Sequence, residues 1–215
     1  MATPVRLTEA PADCPLCPRL VEYREALREE EPEWFNNPVP SFGPEDAQLL
    51  IVGLAPGVRG ANRTGRPFTG DYAGDLLYST LETYGFATGI YDGHAGDTLE
   101  LVDCMVTNAV RCVPPQNKPV GPEIQACRQF LEQRIKSMPN LVSIVTLGRI
   151  AHDQTVRALK ARPPQHPFGH GNTSIVGPYA VTASYHCSRY NTNTGRLTEE
   201  MFHSVFASVR EALDD

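Results

Sequence analysis

The stretch that organises this chain spans residues 47–71 and reads AQLLIVGLAPGVRGANRTGRPFTGD. Its apolar run from Leu49 to Leu54 stops abruptly at Ala55-Pro56-Gly57, and a polar loop rich in glycine and arginine follows. A buried strand of a parallel sheet is a continuous apolar run of this kind, and its loop emerges at the sheet edge where ligands bind. We therefore predict an α/β fold in which residues 55–71 reach a ligand site.

The loop combines side chains that suit an anionic, ring-bearing ligand. It carries three cations, Arg59, Arg63 and Arg66, together with the aromatic Phe68 and the carboxylate Asp71. A solvated surface loop is the alternative, since loops both vary freely and carry function. The stretch contains neither G-x-x-x-x-G-K-[ST] nor G-x-G-x-x-G, which argues against a P-loop and a dinucleotide-binding fold.

The overall composition is that of an ordinary globular protein. With 215 residues, 41% hydrophobic and 20% charged, we expect a single domain over 1–215 with a sizeable core. No apolar run approaches the roughly 20 residues that cross a bilayer, and the first residues, MATPVRLTEAPADC, lack the apolar core of a signal peptide. We expect a cytoplasmic protein that does not associate with a membrane and whose cysteines are free or metal-bound.

The net charge of −6 is distributed unevenly along the chain. Residues 1–46 hold ten acidic and four basic side chains, whereas the remainder holds fifteen of each. The segments 59–66, 111–118 and 189–196 are locally cationic. Phosphate contacts need such local clusters and not a basic whole protein, so nucleic acid remains a candidate partner.

The apolar periodicity alternates between strands and helices. Strands are predicted at four runs: 49–54, 99–110, 141–147 and 179–185. Helices are predicted at five segments: 14–31, 72–84, one starting at 121, 149–160 and one starting at 198. This order predicts a three-layer α/β/α sandwich around a mostly parallel, four-stranded sheet, preceded over 1–46 by a helix and a connector.

Three loops directly follow predicted strands. They cover 55–71, 111–120 and 186–196. Because the carboxyl ends of parallel strands meet at one edge of a sheet, we expect these loops to converge there.

The chain has six cysteines, at positions 14, 17, 104, 112, 127 and 187. A thioredoxin-like redox site needs a strand before its C-x-x-C pair, and no strand is predicted before Cys14 and Cys17. With Cys112 and Cys127 it could form a four-thiolate metal site, but ordinary buried thiols are the alternative. Spacing does not separate zinc from an iron–sulfur cluster, since both take four cysteines.

Long motifs spread over nearly the whole chain carry a family resemblance. They are G-L-A-P-G at 53–57, N-R-T-G-R-P-F-T-G-D at 62–71, N-A-V-R-C-V-P-P-Q-N-K-P at 108–119, L-G-R-I-A at 147–151 and S-Y-H-C-S-R-Y-N-T-N-T-G-R-L-T at 184–198. With them the chain resembles the uracil-DNA glycosylase superfamily, most closely its family 5 (type B) members. The resemblance implies that Cys14, Cys17, Cys112 and Cys127 hold a [4Fe–4S] cluster with a structural task.

The implied reaction is hydrolysis of the N-glycosidic bond of a deaminated base in DNA, which must first leave the base stack. Phe68 would stack on the flipped base, although it could also be a core residue. Asp71 would orient the attacking water with Asn117 and stabilise the positive charge that develops on the sugar. Asp71 could instead cap the helix at 72–84, and Asn117 could be a turn residue.

The resemblance assigns further residues to the base and to the DNA. His186 would support the departing base anion. The base-contacting stretch would include Gly53, Ala55, Pro56 and Gly57. The expected DNA-binding residues are Arg59, Arg63, Arg189, Tyr190 and Asn191, with Arg189 and Tyr190 where the superfamily inserts a wedge into the duplex.

Asn108 departs from the family 5 pattern. Family 5 proteins often lack a base-reading asparagine at this place, whereas uracil-specific family 4 enzymes have one. Its amide can pair with N3–H and O4 of uracil, or Asn108 merely caps its strand. Uracil is therefore the expected substrate, with hypoxanthine and xanthine as further candidates.

Two other classes compete with a DNA glycosylase. One is a non-catalytic iron–sulfur module that binds damaged DNA, and the other is a small-molecule hydrolase of the same architecture. The presence of both Asp71 and Asn117 favours the enzyme, which we expect to act as a monomer.

Overall fold

The computed structural model describes residues 7–215. Its helices are α1 (Pro18–Glu30), α2 (Ala61–Thr64), α3 (Tyr72–Thr83), α4 (Gly121–Ser137), α5 (Arg149–Ala158), α6 (Arg189–Asn193) and α7 (Glu199–Asp214). Its strands are β1 (Leu49–Gly53), β2 (Ala87–Thr88), β3 (Glu100–Leu101), β4 (Cys104–Asn108), β5 (Ser143–Leu147), β6 (Thr173–Val176) and β7 (Tyr179–Ser184). Short 3₁₀ turns lie at Pro115–Asn117 and Pro163–Gln165.

The main sheet has the strand order β4-β1-β5-β7-β6. Strands β4, β1, β5 and β7 are parallel, and β6 joins β7 antiparallel at the edge. The predicted mostly parallel sheet is therefore confirmed, but the predicted number of four strands is wrong. β6 escapes the sequence pattern because three of its four residues are not buried. Gly177, with φ +62, turns the chain tightly back into β7.

Alternate residues of β1 enter two separate cores. Leu49 and Ile51 pack into one cluster with α3 and α7, whereas Leu50 and Val52 pack into another with α4 and α5. Because both faces of the central strand are covered, its five residues are all buried and read as one apolar run. The predicted three-layer sandwich follows from this arrangement.

The predicted strand 99–110 is two strands. β3 pairs with β2 in a small ribbon, and β4 enters the main sheet. Asp103 separates them with a left-handed backbone at φ +51, and its carboxylate accepts hydrogen bonds from the backbone and the side chain of Gln48. This turn interrupts an apolar run that appears continuous in the sequence.

The first helix starts four residues later than predicted, at Pro18, after the Cys14–Cys17 turn. Cys14 and Leu20 pack in a third apolar cluster with Cys127 and Phe130 of α4. The Arg19 guanidinium also lies 2.7 Å from the Glu123 carboxylate of α4. The N-terminal segment is thus attached to the helix that carries the fourth cysteine of the predicted set.

Over residues 7–215, every helix is too short or too polar to cross a bilayer.

Candidate active site

The loops after β1, β4 and β7 converge on one cavity of about 540 Å³, as predicted. Nine of the predicted base-contacting, catalytic and DNA-binding residues line it: Ala55, Pro56, Gly57, Phe68, Asp71, Asn108, Asn117, His186 and Arg189. Five others do not line it: Gly53, Arg59, Arg63, Tyr190 and Asn191. The volume lies in the usual range for small-molecule sites, about 300–1,000 Å³.

Sequence reasoning missed five of the lining residues: Leu54, Ala61, Tyr72, Ala73 and Ser188. Each lies within or beside one of the motifs that carry the family resemblance. Tyr72 and Ala73, for example, are the first turn of α3 and reach the cavity because Asp71 starts that helix. Each lies within two positions of a predicted site residue, and that proximity is the signal that would have found them.

Phe68 is a core residue and a cavity wall at the same time. Its side chain belongs to the core cluster of α3 and α7, and it is 7% exposed. The ring stacks with that of His186, with centroids 5.8 Å apart and planes 27° from parallel. The two interpretations of Phe68 are therefore compatible.

Asp71 caps α3 and also faces the cavity. Its Oδ1 accepts hydrogen bonds from the backbone N–H groups of Ala73 (3.1 Å) and Gly74 (3.2 Å). Its Oδ2 lies over the bare backbone of the β1 loop, where a Cβ on Gly60 would be 2.4 Å away. The helix N-terminus stabilises the negative charge, and the second oxygen is left for a polar ligand.

Asn108 ends β4 and has a buried amide. The residue is 2% exposed, and its Oδ1 has no hydrogen-bond partner among residues 7–215. Buried polar atoms are nearly always hydrogen-bonded, and an exception needs an explanation. Because Asn108 lines the cavity, a polar ligand there would supply the missing donor.

His186 follows β7 and is held neutral by its surroundings. Burial lowers the pKa of its imidazole, and the nearby Asp71 charge opposes that shift only in part. Asn191 does not enter the cavity, since its side-chain amide donates to the backbone carbonyl of His186 at 2.8 Å. Asn191 therefore shapes the loop that presents His186.

Asn117 lies at the mouth of the cavity, in the 3₁₀ turn after β4. Its side chain is exposed, and its backbone is left-handed with φ +56. Asparagine tolerates this conformation better than most residues. Asn117 is thus a turn residue whose side chain also borders the cavity.

The arginines of the β1 loop divide into two kinds. Arg66 is 5% exposed and pairs with Asp97 at 2.6 Å, so the expectation that it serves an anionic ligand is wrong. Arg59 and Arg63 are exposed and form no ion pair within the described part of the chain. Their side chains are available at the surface.

The β7 loop adds a cation and an aromatic ring beside the cavity. The Arg189 guanidinium lies over the Tyr72 ring, 5.3 Å from its centroid. Tyr190 is 74% exposed, which is unusual for a large aromatic side chain.

The four cysteines of the predicted metal site line a second, smaller cavity, beside Arg24. Burial raises the pKa of Cys112 to about 11 and that of Cys127 to about 12. The backbone N–H of Arg111 donates to the Cys127 sulfur at 3.2 Å. Across residues 7–215, no group of three or more His, Cys, Asp or Glu residues is arranged to hold a metal ion.

The two remaining cysteines are core residues. Cys104 lies in β4 and is fully buried. Cys187 follows His186 but is also fully buried, and its thiol donates to the carbonyl of Ala73 at 3.4 Å. Burial raises the pKa of both thiols, which keeps them protonated.

Comparison with known proteins identifies the family. Residues 40–210 match the family described as the Uracil DNA glycosylase superfamily. The Type-5 uracil-DNA glycosylase of Thermus thermophilus is 44% identical over 92% of each chain. That of Pyrobaculum aerophilum is 36% identical over 90% of this chain and 86% of its own. The Type-4 uracil-DNA glycosylase of Sulfurisphaera tokodaii is 31% identical over 79% of this chain and 73% of its own. The chain therefore belongs to the uracil-DNA glycosylase superfamily.

Proposed function

We propose that this chain is a DNA repair glycosylase that hydrolyses the N-glycosidic bond of uracil in DNA after the base has been flipped out. The observation that carries the proposal is one cavity bordered by the aromatic ring of Phe68, by Asn108 Oδ1 and by Asp71 Oδ2, two oxygens that accept no hydrogen bond in this cavity from residues 7–215. The similar proteins that are named Type-5 uracil-DNA glycosylase support it.

The base would bind between Phe68 and Asn108. Uracil presents an N3–H donor beside its O4 acceptor, which matches the oxygen and the NH₂ of one amide. The Asn108 Oδ1, which lacks a donor among the described residues, would accept from N3–H. Hypoxanthine and xanthine present different edges and are proposed as secondary substrates.

Asp71 would orient the attacking water through Oδ2 while Oδ1 remains bound to the helix N-terminus. Its charge would also stabilise the positive charge that develops on the sugar as the bond breaks. Asn117, at the mouth of the cavity, would be a second hydrogen-bonding partner of that water.

His186 would stabilise the leaving base. Since burial keeps its imidazole neutral, it would donate one hydrogen bond to the oxygen on which negative charge develops, without carrying a charge of its own. None of the described residues around the cavity is a lysine, so water and not an amine is the proposed nucleophile of this monofunctional reaction.

The DNA backbone would contact the exposed cations around the cavity. Arg59, Arg63 and Arg189 would bind phosphates, whose contacts make affinity depend on salt. Tyr190, largely exposed at the start of α6, is the proposed wedge that fills the place of the flipped base. Asn191 would act indirectly, through the loop that it holds.

We also propose a [4Fe–4S] cluster on Cys14, Cys17, Cys112 and Cys127. A cluster binds each thiolate through a different iron, so its cysteines must surround a common space and need not converge on one ion. All four thiols are unpaired and line one cavity.

One buried cation beside these thiols, Arg24, fits a negatively charged cluster. Arg24 is 3% exposed, and its Nε makes no hydrogen bond within the described residues. When bound, the cluster would tie the N-terminal helix to α4 and to the segment that carries Asn117. Its proposed role is structural.

The test is release of free base from an oligonucleotide with a single uracil. Production of an abasic site with time supports the proposal, with a uracil-free oligonucleotide as control. Tight binding without cleavage would favour a non-catalytic DNA-binding module, and cleavage of free nucleosides but not DNA would favour a small-molecule hydrolase. The expectations of a monomer and of a cytoplasmic location remain predictions.

A further inference from the structure

The backbone that carries Phe68 and Asp71 has an unusual conformation. Phe68 has φ +52, a left-handed conformation that is rare for a bulky side chain. Such a conformation persists only when surrounding contacts impose it. The contacts that surround this segment come from the loop between β2 and β3 and from helix α3.

Tyr91 of that loop bridges the segment with a single hydroxyl. Its oxygen accepts a hydrogen bond from the Gly70 N–H at 3.1 Å, and its proton is donated to the Phe68 carbonyl at 3.3 Å. Burial raises the pKa of Tyr91, so the hydroxyl retains the proton that it donates.

Helix α3 closes the other side of the same segment. A Cβ on Gly74 would lie 1.8 Å from the Phe68 carbonyl oxygen and 2.6 Å from the Tyr91 hydroxyl. Only a glycine allows this approach, so the Phe68 carbonyl is enclosed between Gly74 and Tyr91.

The Arg66–Asp97 pair holds Tyr91 and its loop in place. Both terminal nitrogens of Arg66 donate to the Asp97 carboxylate, at 2.7 and 2.6 Å, and one also donates to the His94 carbonyl at 3.0 Å. The guanidinium carbon lies 5.8 Å from the centroid of the Tyr91 ring. The Asp97 carboxylate in turn accepts from the backbone N–H of Asp92 at 3.0 Å.

Asp97 remains ionised over any physiological pH. Burial opposes its ionisation, but the Arg66 hydrogen bond and two backbone N–H groups outweigh that cost and lower its pKa to about 2. The carboxylate therefore stays charged, and the ion pair connects the two loops.

We propose that Tyr91, held by the Arg66–Asp97 pair, is a positioning residue that fixes the backbone between Phe68 and Asp71 for stacking on the base and for orienting the water. Tyr91 does not line the cavity, so it acts through these two residues and not on the substrate. This inference depends on the proposed function.

The first experiment is single-turnover uracil excision by Tyr91→Phe, which removes only the hydroxyl and retains the ring beside Arg66. We expect the rate to fall about tenfold while affinity for uncleaved DNA changes less than about twofold, because misplacement affects the chemical step. Tyr84→Phe is the matched control, since Tyr84 is half-buried and its hydroxyl makes no hydrogen bond within the described residues. An unchanged Tyr91→Phe rate would overturn the inference.

A double-mutant cycle separates positioning from a general structural role. In a Phe68→Ala background only the positioning of Asp71 is left to lose, so Tyr91→Phe should cost less than in the wild type. Equal losses in the two backgrounds would overturn the proposed action through Phe68.

Amide hydrogen exchange gives a readout that does not depend on activity. Tyr91→Phe should accelerate exchange of the Gly70 N–H, which loses its acceptor, and leave the β1 amides unchanged. Asp97→Asn should have the same effect on Gly70 because it weakens the anchor. Unaltered Gly70 exchange in both variants would contradict the inference, whereas a wild-type chain that releases no uracil would contradict only the proposed function.

Discussion

Asn108 and Gly53 lie side by side at the ends of the parallel strands β4 and β1, and the missing side chain of Gly53 makes room for the Asn108 amide. A Cβ on Gly53 would lie 2.4 Å from Asn108 Oδ1 and 2.6 Å from the Phe68 ring. The glycine therefore serves the site although it does not line the cavity. It allows the Asn108 amide and the Phe68 ring to form adjacent walls of the cavity.

Removal of the Asn108 amide should affect uracil more than other bases. An unmatched pair of hydrogen bonds costs on the order of 1–3 kcal/mol, so Asn108→Ala should lower uracil excision by roughly ten- to a hundredfold. Hypoxanthine excision should change much less. The measurement is single-turnover cleavage of two oligonucleotides that differ only in the lesion. Parallel loss of both activities would mean that Asn108 is a strand residue and that the base is read elsewhere.

Asp71 requires variants that separate its two roles. Asp71→Asn keeps an acceptor for the N-terminus of α3 but removes the charge, so cleavage should fall by about a hundredfold or more with DNA affinity retained. Asp71→Ala should in addition lower the unfolding free energy by about 1 kcal/mol through the lost cap. Thermal unfolding and single-turnover kinetics of both variants check this. A fully active Asp71→Asn would rule out the catalytic assignment.

His186 should lower the free energy of unfolding at acidic pH. Burial lowers its folded-state pKa below the ordinary value of 6.5. Below pH 6.5 the unfolded chain takes up a proton at His186 more readily than the folded chain does. The free energy of unfolding therefore decreases as the pH falls from 6.5 through the folded-state pKa. Denaturant unfolding at pH 7.5 and 5.5 should show a smaller acid loss for His186→Gln than for the wild type. Identical losses would show that His186 does not titrate in this way.

The effect of a cysteine substitution on iron content should depend on whether the cysteine belongs to the proposed cluster site. Protein purified without oxygen should carry about four irons per chain. Cys14→Ser and Cys127→Ser should lose iron and fold poorly, whereas Cys104→Ser, in the core of β4, should retain it. Iron analysis and the visible absorption spectrum are the measurements. Stoichiometric zinc without iron would contradict the cluster.

Much of the fold follows from local patterns in the chain. The five buried residues of β1 read as a strand because both faces of a central parallel strand are covered. The loops that follow β1, β4 and β7 could be placed on one edge because parallel strands share their direction. The motifs around Phe68, Asp71 and His186 predict the family without any geometry, and the comparisons confirm it.

Other features depend on contacts between distant parts of the chain. Arg66 looks like a ligand-binding cation until Asp97, thirty-one residues further on, is found beside it in the folded protein. β6 has no apolar period of its own and exists because β7 offers an unpaired edge. The two carboxylate oxygens of Asp71 have different roles because of how α3 packs on the β1 loop: Oδ1 caps the helix, and Oδ2 faces Gly60 of the loop. Local periodicity indicates which residues are buried. The residue that pairs with a buried charge, or the strand that pairs with a sheet edge, is determined only by the packing of elements that are distant in the sequence.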